Sequence, residues 1–117
     1  MDSILTTIKK LLGITEEYDH FDQDLIIHIN SAFMTLAQLG VGPKEGFAIH
    51  SVNDTWSDFM PNNPKLESVK TYIGLKVRLI FDPPTSSFVL DAYKNVIAEL
   101  EWRLNVEVEQ EEVSENA

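Results

Sequence analysis

The sequence contains no cysteine. That excludes a disulfide framework, a thiolate metal site and a cysteine nucleophile, and it is what a chain assembled in a reducing cytoplasm would show. Long hydrophobic runs are missing too. No roughly eighteen-residue apolar stretch exists to satisfy its own backbone across a bilayer, so the expectation is a soluble protein with no membrane partner. The opening "MDSILTTIKKLLGI" puts an acid before its first apolar residues and lysines after them, the reverse of a secretory signal, and reads as a short amphipathic helix. Basic residues are scarce: nine lysines and arginines stand against nineteen acids, a net charge of -10. A broad phosphate-binding surface is therefore disfavoured. GxSxG, GxxxxGK[ST] and GxGxxG are all absent, which removes the usual supports for nucleophilic hydrolysis and nucleotide binding. No cofactor and no catalytic residue is assigned.

Metal ligands fare no better. His20, His28 and His50 lie in three separate segments with no HxxxH or HxH spacing. Asp19, Asp22 and Asp24 in "DHFDQD" have neither the glycine nor the terminal glutamate of a calcium loop, and Asp22 is better read as a helix cap. Glu99 and Glu101 point to different faces of one helix and read as solvated. No metal site follows.

What is present is helical periodicity. With 117 residues and 44% hydrophobic content, the chain can bury one core. The expected architecture is all-α: a small bundle of four main helices near 3–12, 22–39, 65–81 and 86–104, with an irregular insertion between the second and third. The first helix has Ser3 or Asp2 as cap, Ile4, Leu5, Ile8, Leu11 and Leu12 on one face, Lys9 and Lys10 on its polar face, and Gly13 as terminator. In the second, Leu25, Ile29, Ala32, Phe33, Leu36 and Leu39 form the apolar stripe, and Ile27 and Met34 lie opposite it. The third carries two adjoining stripes, Leu66, Val69, Ile73, Val77, Ile80 and Tyr72, Leu75, Leu79, which calls for burial on more than one side. Gly74 inside it is either simply tolerated or required by the close approach of a neighbouring backbone.

Pro83 and Pro84 end that helix near Phe81 and turn the chain, and Thr85 or Ser86 can cap the next. The last helix would present Val89, Tyr93, Val96, Ile97, Leu100 and Leu104 to the core, leave Phe88 and Trp102 pointing away, and pair Glu99 with Arg103. Residues 1–105 form the expected domain. Residues 106–117, with five acids and no base, read as an acidic, mobile tail, and deletion of residues 107–117 is expected to leave folding intact. The insertion "FAIHSVNDTWSDFMPNN" allows a short extended piece at Phe47 to Ile49 and one helical turn between Asp54 and Phe59. Of its aromatic residues, Trp56 is the expected core member, and Phe47 or His50 the expected partner contact.

Several stretches have an unusual residue order: "TWSDF", "VKTYIGLKVRLIFDPPTSS" and "ELEWRLN". Together with "ILTTIKKLLGI" and "LIIHINSAFMTLAQLGVGP", they make residues 4 to 106 resemble the head-tail connector (head completion or adaptor) proteins of long-tailed phages and prophages. The resemblance implies a small helical structural subunit of the virion without enzymatic activity. It also implies a homo-oligomeric ring of about a dozen copies below the portal protein, assembled in the bacterial cytoplasm. Such a ring extends the DNA channel, through which DNA passes without specific binding, and docks a neck or tail-completion protein. Ile27, Met34, Phe47, His50, Phe88 and Trp102 are then the candidate oligomer or partner contacts. Two alternatives belong to other classes: an acidic DNA mimic, and a small helical regulator of a protein partner. The first is disfavoured because half of the acidic excess lies after Asn105.

Overall fold

The computed structural model describes residues 2–116, and side chains up to Glu111. Among these residues there are five helices: α1 (Ile4–Leu11), α2 (Asp22–Gln38), α3 (Trp56–Phe59), α4 (Pro64–Phe81) and α5 (Ser87–Asn116). No β-strand occurs among them, only an isolated antiparallel bridge between Ser3 and Thr55. The expected all-α bundle is what forms. Helix α4 lies centrally, touching α1, α2 and α5. The whole measures 49 × 36 × 21 Å, so it is a slab about two helix diameters thick.

Each helix begins where local chemistry allows. Ser3 caps α1 by accepting from the Thr6 amide at 3.3 Å. Asn63 caps α4 through the Leu66 amide, and Pro64 occupies the first turn, where its missing N–H is not needed. At the proline corner Ser86 accepts from the Val89 amide at 3.5 Å. Asp22 does not cap. It is the first residue of α2, whose N-cap position falls to Phe21 with no side-chain bond. Its carboxylate instead sits 2.9 Å from the Nζ of Lys9, an ion pair whose angle does not make a hydrogen bond. Lys9 is only 3% exposed, contrary to its expected place on a polar face, and donates to the Glu16 carbonyl at 2.9 Å. A buried ammonium is tolerable only with such partners. They tie the end of α1 to the start of α2.

The core follows the periodicity closely in α2. Leu25, Ile26, Ile29, Ala32, Phe33 and Leu36 are buried. In α4 Leu66, Val69, Tyr72, Ile73 and Val77 are buried, but Ile80 is 57% exposed while Leu79 and Phe81 on either side of it pack against the core. Leu11 is likewise exposed. The last helix departs most. Ile97 and Leu104 are its buried residues, with Leu90, Tyr93, Leu100 and Val108 partly buried beside them. Val89 and Val96, expected in the core, lie toward solvent. The helix also continues past Asn105 instead of giving way to a tail. Val108 packs so closely on Gly40 that a Cβ there would lie 3.0 Å from its Cγ1, and Glu111 pairs with Lys65 at 2.9 Å. Glutamate and glutamine are good helix formers, so those two anchors suffice to carry the helix on. For Ala117 the expected tail lies outside the described residues.

Two glycines make opposite predictions. A Cβ on Gly74 would meet Leu11 Cδ1 at 2.9 Å, the end of a flexible and exposed side chain and not a backbone. Gly74→Ala should thus gain about 0.5–1 kcal/mol of helix propensity with little offset. Gly42 has φ 95, and a Cβ there would lie 2.5 Å from Cε1 of Phe59. Gly42→Ala should destabilise by roughly 1–3 kcal/mol. Urea denaturation of both variants checks the pair.

Candidate functional site

The insertion is pinned to the bundle at three points. Asn30, on α2, donates to the Ile49 carbonyl at 2.9 Å and accepts from its amide at 2.8 Å, so a side chain replaces the strand partner that the expected extended piece would have needed. Thr55 and Asp58 form a reciprocal capping box around α3. Asp2 accepts from the Ser57 amide and hydroxyl at 3.0 and 2.5 Å, and those two bonds hold its carboxyl below the usual carboxylate range. The Trp56 indole N–H donates to Thr7 at 3.0 Å. Trp56 is buried, as expected.

Phe47 has its ring against the core and also lines an open hollow. It is half-buried and meets Phe33 and Phe59 edge-on, with centroids 5.0 and 5.3 Å away, so it closes the chain's own core. His50 is exposed, and its amide donates to Asp54 at 2.6 Å. That bond and one from the Ser51 amide lower the Asp54 pKa.

Tyr72 locks α4 to α5. Its hydroxyl donates to Glu101 at 2.7 Å, so Glu101 is partly buried and not on a solvated face. Burial, then the bond to Glu101 and its charge, push the Tyr72 hydroxyl well above the ordinary tyrosine range. Below about pH 10 the hydroxyl is protonated in both folded and unfolded chains, and the stabilisation is complete. Above it the unfolded state releases the proton first, so stability falls as pH rises toward the folded value. Tyr72→Phe should flatten that alkaline loss. Denaturant midpoints compared between about pH 8 and pH 11 test it.

The remaining candidates sit on two outward faces. On α2, Ile27 and Met34 are one heptad apart on the side opposite Leu25, Ile29 and Leu36, and both are exposed. On α5, Phe88 and Trp102 are 82% and 68% exposed, along a stripe opposite Ile97 and Leu104 that also holds Ala92, Asn95 and Glu99. Trp102 is not covered by the insertion. Glu99 and Arg103 pair beside it at 2.6 Å. Between α2 and residues 44–48 lies an open hollow of about 520 Å³, lined by Met34, Ala37, Phe47 and Ala48, with Lys44 and Glu45 on its edge. Sequence reasoning missed this hollow because it forms between segments whose approach is set by Asn30 and Ile49, and no periodicity encodes that contact. Among the described residues, no group of three or more His, Asp or Glu side chains could hold a metal ion. No helix among them is long and apolar enough to cross a membrane.

A slab with two outward apolar faces is built for contact with other proteins. The sequence model of the family described as "Phage connector protein" matches residues 4–111. The chain belongs to this family. No curated protein and no solved structure matches it. A phage connector is a structural component of the virion that works by binding other phage structural proteins. In this connector the α2 face, the α5 stripe and the hollow offer apolar surface for such binding, and they constitute the candidate site.

Proposed function

We propose that this connector is one subunit of a homo-oligomeric ring of about a dozen copies that seats below the portal, extends the DNA channel and docks a neck or tail-completion protein. The observation that carries this reading is the placement of large exposed apolar residues on two unlike faces, Ile27 with Met34 on α2 and Phe88 with Trp102 on α5. A two-fold dimer needs one self-complementary patch. A ring needs two different patches that meet head to tail and close after the correct rotation. The acidic balance supports a channel role as well, since a net charge of -10 repels DNA and lets it slide without specific binding.

Native mass spectrometry of the purified protein, alone and with the portal, tests the reading. A single closed species of about a dozen copies, free or portal-bound, is expected. A dimer or monomer that ignores the portal overturns it.

A further inference from the structure

We propose that the ring contact is a knob in a hole: Trp102 of one copy enters the hollow between α2 and residues 44–48 of the next. This assignment rests on the ring reading above and names the surfaces that meet in it.

Three observations support it. Trp102 stands out from α5 with 68% of its surface exposed, and covering an aromatic ring removes roughly 150–250 Å² from water. The hollow, at about 520 Å³, has an apolar lining in Met34, Ala37, Phe47 and Ala48, and Met34 is itself exposed at its rim. It has room for an indole and offers an aromatic ring and a methionine sulfur to it.

Charge supplies the third argument and commits the hollow to a second copy of this chain. Beside Trp102 stand Glu99 and Arg103, one acid and one base, which among the described residues pair with each other alone, in an exposed 2.6 Å hydrogen bond. At the hollow's edge stand Lys44 and Glu45, one base and one acid, neither with an ionic partner among the described residues. Seating the indole brings Glu99 toward Lys44 and Arg103 toward Glu45, so an interface with no net charge closes around the apolar centre. Charged groups at such a rim fix orientation more than they add affinity, and the buried aromatic residue supplies the binding energy. An acidic channel ring must join negatively charged subunits, and a locally neutral contact permits that.

The absence of cysteine gives a clean test. Ala48 lines the hollow and Ala98 lies one turn before Trp102; both are exposed and small. Ala48→Cys and Ala98→Cys proteins are mixed under ring-forming conditions, with the portal if required, and treated with a short bis-maleimide. Cross-links should join position 48 to position 98, with like-to-like products at least tenfold rarer. Adding Trp102→Ala to both proteins should abolish the 48–98 product while circular dichroism shows the same helicity. Rings seen in the same samples without 48–98 products, or with like-to-like products dominant, would overturn this contact and leave the ring reading standing. Absence of any ring with or without portal would overturn both.

Discussion

Trp56→Ala should destabilise the connector by about 3–5 kcal/mol, near the upper end for a buried aromatic residue. The side chain is 1% exposed. Its ring packs at 6.3 Å from Phe33, Lys70 lies over it at 5.6 Å, and its N–H bonds Thr7. Its own amide donates to the Asp2 carbonyl at 3.0 Å, so the residue joins the insertion to the start of α1. Removing the indole leaves a cavity between α1, α2 and α4 and takes away the bond that Thr7 accepts from it, although the Thr7 hydroxyl keeps its own bond to the Ser3 carbonyl. A fall in Tm on the order of 10–20 °C follows for a domain of this size. Trp56→Phe keeps most of the packing and should lose less than half as much. A change below about 1 kcal/mol for Trp56→Ala, read by urea denaturation, would mean the insertion is not anchored as described.

The same substitution at the other tryptophan should do the reverse. Trp102→Ala should change stability by less than about 0.5 kcal/mol, because the side chain is largely in water. Assembly, however, should weaken sharply. An aromatic anchor at the centre of an interface contributes about 2 kcal/mol or more, and in a closed ring every subunit loses two such contacts. The self-association constant per contact should fall by roughly thirtyfold or more, which for a ring means monomers where the wild type is closed. Paired circular dichroism and sedimentation velocity on wild type and variant read the two effects separately. An unfolded variant would make Trp102 a core residue, and unaltered assembly would make its exposure incidental.

The contrast between the two tryptophans was legible in the sequence, because one stands in "TWSDF" among other aromatic residues and the other stands opposite the apolar stripe of a long helix. Ile27 and Met34 were legible for the same reason. The corner at Pro83 and Pro84 and the start of α4 at Pro64 followed from proline stereochemistry alone. What periodicity could not settle is which of two adjoining stripes faces inward. In α5 the stripe of Leu90, Ile97 and Leu104 lies one residue, or about 100°, from that of Val89 and Val96, and only the position of α4 decides between them. The Tyr72–Glu101 bond is part of that decision: it turns Glu101 inward and leaves Val96 out. Lys9 fails for a related reason, since its burial depends on where α2 starts, at Asp22. In the last turn of α4 it is Leu79 and Phe81 that pack inward and Ile80 that is left out. The continuation of α5 beyond Asn105 depends on Gly40 and Lys65, both far away in sequence. Composition registers the acids of that segment but not the surfaces that receive Val108 and Glu111.

Electron microscopy of the purified connector with and without the portal tests the central claim most directly. Side and end views should show closed rings of about a dozen subunits, or an added ring at the portal's narrow end, with a continuous open bore. Portals that remain undecorated, together with a connector that stays monomeric or forms only two-fold dimers, would contradict it.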